Sequence, residues 1–203
     1  MLPLLQYYKK NTNSFRLQRF LTKKLVLNNE SMDITELKST EYAPFYKGYI
    51  EVLGGASLEQ ALKETSKLLE DVSKKINHTN IYSSYAPGKW TVAEVLLHII
   101  DTERVFQYRA LRIGRGDQTN LPGFDQDIFM ANCNANKRDL KSLLTEFAVV
   151  RQSTLLLFNQ FGVDDLRKIG FVGGNEMSVR ALGFIICGHV KHHVNILNDR
   201  YLI

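Results

Sequence analysis

The chain has 203 residues, 44% of them apolar and 23% charged, which is enough to bury one sizeable core. No stretch is long and apolar enough to span a bilayer, so no membrane partner is expected. Its net charge of +5 resides entirely in residues 1–31, with six bases against one acid, while residues 32–203 balance 20 bases with 20 acids. A neutral body gives no reason to expect a nucleic-acid-binding face.

Residues 1–31 read as a basic N-terminal extension, rich in Lys and Arg and lacking the apolar h-region of a secretory signal. Three readings stand side by side: a start assigned too early, with Met32 the first residue; a targeting segment; or an extra docking helix. Residues 32–203 read as the folded domain. Cys133 and Cys187 form no CxxC pair, and two cysteines in a chain of this length point to reduced thiols and a cytoplasmic location.

Four segments carry helical periodicity. The first covers roughly Ser57–Ile76, with Leu58, Leu62, Leu68, Leu69 and Val72 inward. The second covers roughly Val92–Arg115 and opens on a capping box, Thr91-Val92-Ala93-Glu94, after the turn residues Pro87-Gly88. Its inner face carries Val95, His98, Ile99, Thr102, Phe106 and Arg109. The third covers roughly Asn136–Phe161, with Gly162 as its stop. The fourth covers roughly Val179–Arg200 behind the N-cap Ser178, with Leu182, Ile185, Ile186, His189, Val190 and His193 inward. Phe171–Gly174 is too short and glycine-rich to propose as a strand.

Four amphipathic helices of about twenty residues predict an all-α four-helix bundle. The link between helices two and three, about Gly116–Ala135, is far longer than an ordinary helix–helix turn. It can cross a helix of ~30 Å and start the next one parallel to the last. The expected topology is therefore up-down-down-up, with a long crossover between helices two and three. Helix four then runs antiparallel to helix two, and the level of His98 meets that of His193.

This register gathers the chemistry. His189 and His193 stand four residues apart on one helix face, and His98 lies about ninety residues upstream in an apolar stripe. Three imidazoles in one core are costly unless something uses their nitrogens. A divalent cation with an open position does so. The donor set suits zinc, nickel, iron or copper alike. His192 lies on the flank as an alternative i, i+3 partner of His189. Glu94 and Asp101 flank His98 and are candidates to orient its second nitrogen. Arg104, Arg109 and Arg180 are candidates to hold a carboxylate. Asp125 or Asp127, in the crossover, could act as a base if it folds over the site. No GxSxG, Walker or GxGxxG pattern is present.

The chain resembles the DinB-like, YfiT-like superfamily of metal-binding four-helix bundles over nearly all of residues 41–202. The blocks that carry the likeness are Glu41–Ile50, Tyr85–Thr91, His98-Ile99-Ile100-Asp101-Thr102-Glu103-Arg104, Leu121–Asp127 and Gly188-His189-Val190-Lys191-His192-His193. Residues 1–31 have no counterpart in it, which favours Met32 as the start. The resemblance implies an up-down-down-up bundle with His98, His189 and His193 as metal ligands. It also implies zinc or nickel as the metal, a homodimer, and in some members a transferase reaction joining a low-molecular-weight thiol to an electrophilic small-molecule substrate. A metal-dependent hydrolase is the second reading, and a non-enzymatic, stress-related metal-binding or interaction module the third.

Overall fold

The computed structural model describes residues 32–202. The basic N-terminal extension, residues 1–31, lies outside the described residues. Four long helices form the body: α2 (Leu58–Ser73), α3 (Val92–Gly114), α5 (Leu140–Phe158) and α7 (Val179–Ile196). Three short helices sit between and before them: α1 (Lys47–Glu51), α4 (Gln126–Ala131) and α6 (Val163–Arg167). A hairpin of β1 (Ile169–Val172) and β2 (Asn175–Ser178) leads into α7, which ends in a π-helical turn, Leu197–Tyr201.

Local chemistry sets the helix starts. Ser57, Thr91, Asp139 and Ser178 each stand at an N-cap and accept a backbone N–H of the first turn with the side-chain oxygen. At Thr91 the capping box is complete, because Glu94 also accepts the Thr91 N–H. The third helix starts at Leu140 instead of near Asn136, because Asp139 is the residue able to cap it; Ala135–Lys137 forms a separate 3₁₀ turn.

Side-chain contacts give the directions. Thr91 bonds Asn136 near the starts of α3 and α5, and Gln107 bonds Ser153 near their ends, so these two helices run parallel. His98, early in α3, meets His189 and His193, late in α7, so that pair is antiparallel. Leu58, the first residue of α2, packs against Gly183 near the start of α7, so those two are parallel. The bundle is up-down-down-up, as the crossover length predicts.

The hairpin corrects the reading of Phe171–Gly174 as non-strand. Gly173 and Gly174 have φ of +57° and +80°, the conformation a two-residue turn of the I′ kind demands, and Val172 pairs with Asn175 across it. The crossover residue Leu121 adds a parallel bridge to Val172. That bridge pins the crossover across the end of the bundle.

The apolar core falls into two clusters. One gathers Leu58, Leu62, Phe106, Ile113, Phe158, Leu182 and Phe184; the other gathers Leu69, Val72, Leu96, Ile100, Leu143, Val190 and Val194. Along α3, α5 and α7 the buried polar residues Thr102, Glu103, Arg151, Thr154 and His189 fall between the two sets.

Candidate metal centre

His98 comes from the second turn of α3, and His189 and His193 from successive turns of α7. All three are buried. The Nε2 of His189 lies 2.9 Å from that of His98 and 3.1 Å from that of His193. As a hydrogen-bond set this is poor. A neutral imidazole offers at Nε2 either one N–H or one lone pair, so the central nitrogen of His189 forms a good bond with at most one neighbour. Around a cation the same geometry is natural. Metal–nitrogen bonds of ~2.0–2.1 Å in a tetrahedral arrangement separate the nitrogens by ~3.3 Å. The three rings form a group able to hold a metal ion.

Electrostatics favour the ligating state. Burial, reinforced by neighbouring histidines, lowers His98 to about 4 and His193 to about 3, and pushes His189 well below the usual range. The rings are neutral at pH 7, with lone pairs available. The Nδ1 of His98 faces the Thr102 hydroxyl at 3.4 Å, and the Nδ1 of His193 is buried without a partner among the described residues. Glu94 and Asp101 are used elsewhere: Glu94 caps α3 and accepts from Asn136, and Asp101 pairs with Arg104. Thr102, one turn beyond His98, is the neighbour that the sequence pattern does not single out.

His98 and His189 open onto a cavity of about 340 Å³, a size that suits a small molecule. Tyr46, Tyr49, Phe106 and Phe124 supply its aromatic wall; Thr102, Arg109, Gln126 and Asn175 supply polar atoms. Among the described residues, no carboxylate lines it. The crossover does fold over the site, bringing Gly123, Phe124 and Gln126 to the rim. Asp125 caps α4, accepting the N–H groups of Asp127 and Ile128. It does not line the cavity, and neither does Asp127.

The wall from α1 is seated closely on α7. A Cβ added at Gly188 would come within 1.8 Å of the Tyr49 carbonyl oxygen, so only glycine permits this approach. The Tyr49 ring then packs edge-on against His189, with centroids 5.4 Å apart. On the other side, Trp90 lies 4.8 Å from His98, centroid to centroid.

Residues 57–197 match the family profile of the DinB superfamily. The chain belongs to this superfamily. A solved structure, YfiT from Bacillus subtilis, is similar to this chain with a TM-score of 0.63 at 13% identity, covering 80% of this chain and 89% of YfiT. YfiT is described as a probable metal-dependent hydrolase with an unusual four-helix bundle topology. At that identity the likeness concerns the fold. No curated protein matches the chain. Among the described residues, no helix of this DinB protein is long and apolar enough to cross a membrane.

Of the three arginines singled out in the sequence, the structure brings one to the cavity. Arg104 pairs with Glu146 and Asp101 at the surface. Arg180 is buried against Glu41. Arg109 lines the cavity.

Proposed function

We propose that this DinB protein is a divalent-metal-dependent enzyme that transfers a small thiol to an electrophilic carbon. The observation that carries this reading is the convergence of three neutral imidazoles through Nε2, two of them, His98 and His189, lining a cavity without a carboxylate among the described residues. Hydrolysis of an ester or amide calls for a protein group that returns a proton to the leaving atom, even where a bound cation has already made hydroxide. Displacement of chloride by a thiolate calls for none. His98, His189 and His193 would hold the cation, with zinc or nickel the assignment that the family resemblance favours. Once bound, the cation supplies Lewis acidity that lowers the pKa of a coordinating thiol into the neutral range.

The chain's own residues do the rest. Thr102 fixes the ring plane of His98 through Nδ1. Tyr46, Tyr49, Phe106 and Phe124 take up the apolar part of the electrophile and keep water from it. In the reaction the S–H proton passes to solvent. The sulfur lone pair forms a C–S bond, and the carbon–chlorine bond of a chlorinated acceptor breaks, chloride leaving with the electron pair. With an epoxide the C–O bond breaks, and the oxygen takes a proton from water. Neither cysteine of the chain serves as nucleophile, since burial raises the Cys187 thiol to about 12 and Cys133 does not line the cavity.

A hydrolase is the second reading, supported by the description of YfiT. Elemental analysis of wild type beside His98→Ala and His193→Ala tests the metal. Assays with glutathione, cysteine and coenzyme A against 1-chloro-2,4-dinitrobenzene and an epoxide test the reaction. The expected result is bound metal and thiol-dependent turnover in wild type, both lost in the variants. Metal-loaded protein that turns over no pair in the panel, or that cleaves an activated ester without thiol, overturns the transferase reading.

A further inference from the structure

Three arginines are buried among the described residues: Arg109 at 3% exposure, Arg151 at 3% and Arg180 at 5%. Two of them have a buried carboxylate. Arg151 grips Glu103 with Nε and Nη2, both at 2.8 Å. Arg180 grips Glu41 in the same forked manner. Arg109 has no carboxylate within ion-pair distance among the described residues, although burying an unpaired guanidinium is costly.

Its surroundings place rather than neutralise it. Nη2 donates to the Pro122 carbonyl at 2.9 Å, and the Tyr46 hydroxyl lies beside the group. The guanidinium carbon sits 5.0 Å from the Phe106 ring centroid and 5.6 Å from that of Phe124. Nη1 is buried and donates to nothing among the described residues. Burial lowers the pKa of the group, as expected where no anion offsets it.

The position relative to the histidines has a consequence. Arg109 follows His98 by eleven residues on α3, which returns it to the same helix face after ~16 Å of rise. Helical side chains lean toward the N-terminus, so Arg109 tips back toward His98. Both line one cavity, with Thr102 and Phe106 between them.

We infer that the cavity binds a small organic carboxylate with an apolar body, its carboxylate on Arg109 and its far end toward the three histidines. The substrate completes the ion pair that Glu103 and Glu41 complete for the other two buried arginines. A planar carboxylate can accept from the unpartnered Nη1 of a guanidinium that lies over the Phe106 and Phe124 rings. The aromatic wall suits an apolar body better than inorganic phosphate. This inference rests on the reading of the cavity as the active site, and it names the class of molecule that enters.

The test is calorimetric titration of 3-phenylpropionate and its neutral amide into wild type, Arg109→Met, Arg109→Lys and His189→Ala, each with and without zinc. Wild type is expected to prefer the acid over the amide by about tenfold or more. Arg109→Met should lose that preference and still bind zinc; Arg109→Lys should keep part of it. His189→Ala should lose zinc and keep the preference. An acid preference undiminished in Arg109→Met, or one that disappears with His189, overturns the inference, the latter by placing the carboxylate at the histidines. Inorganic phosphate binding as tightly as 3-phenylpropionate also overturns it. Should Arg109→Met fail to fold, the acid and amide in wild type and His189→Ala still decide. Failure of zinc binding in wild type strikes the metal reading alone, because the acid preference is also measured without zinc.

Discussion

Two buried polar clusters lie close together on α3, and they answer the cost of burial in opposite ways. Around Glu103 every group has a partner within the protein. Arg151 binds both carboxylate oxygens, and its remaining nitrogen donates to the Leu62 carbonyl, Thr65 and Ser66, while Thr154 donates to Glu103 as well. Around His98, three like groups face one another, and the Nδ1 of His193 is left unpaired among the described residues. The first cluster is complete as it stands and fastens α2, α3 and α5 together. The second is left incomplete by the protein's own groups, which is what the proposed metal site requires. Internal completeness separates a structural polar cluster from a candidate ligand site, even where burial is alike.

The largest expected effect breaks the complete cluster. Arg151→Met leaves Glu103 buried without a counter-charge and should cost about 3–5 kcal/mol in urea unfolding. Replacing both, as Arg151→Met with Glu103→Leu, should recover most of that loss. Single and double variants of equal stability would show that the pair is not a unit.

In the histidine cluster, the stabilisation should come from the ligand. Zinc at 100 times its Kd should stabilise wild type by about 2.7 kcal/mol, and His189→Ala by nothing measurable. Thermal melts with and without zinc read the difference directly.

Acid should reach the same cluster. The unfolded chain protonates its histidines near 6.5, whereas folded His98 waits until about 4 and His193 until about 3. Between those limits the unfolded state holds more protons, so stability of the metal-free protein is complete above about 6.5 and declines as pH falls toward 3. Urea midpoints that stay flat from pH 7 to pH 4 would contradict this. The smallest effect is expected for Thr102→Val, which removes the partner of His98 Nδ1 and should weaken zinc affinity about tenfold with little change in metal-free stability.

Much of the bundle is legible in the sequence because its signals are long. Four apolar stripes mark four helices, two of them with caps evident at Thr91 and Ser178, and the length of the crossover alone sets the direction of α5 and the meeting of His98 with α7. Short elements escape for the same reason. The hairpin depends on Gly173 and Gly174 with only four residues in each strand, and α1 has five residues, fewer than two turns. The Glu103–Arg151 pair is invisible because charged residues in a helical pattern ordinarily face solvent. Periodicity puts Arg109 on the inner face with His98, unlike Arg104 and Arg180, but does not reveal that its guanidinium lacks a carboxylate. Its distinction lies in partners that the other two have, and only tertiary structure supplies them. Asp125 reads in the sequence as a candidate base, whereas its side chain accepts local backbone N–H groups as the cap of α4.

Gly188 makes the two rims of the cavity unequal. Because the Tyr49 backbone rests where a side chain would otherwise stand, the α1 rim is keyed into the same helix that presents His189 one residue later. That rim cannot swing outward without dragging the imidazole lattice with it. The opposite rim, Gly123 to Gln126, hangs from the backbone pairing of Leu121 and the contact of Pro122 with Arg109. Entry and exit of the proposed small molecule would then fall to that side, past Arg109.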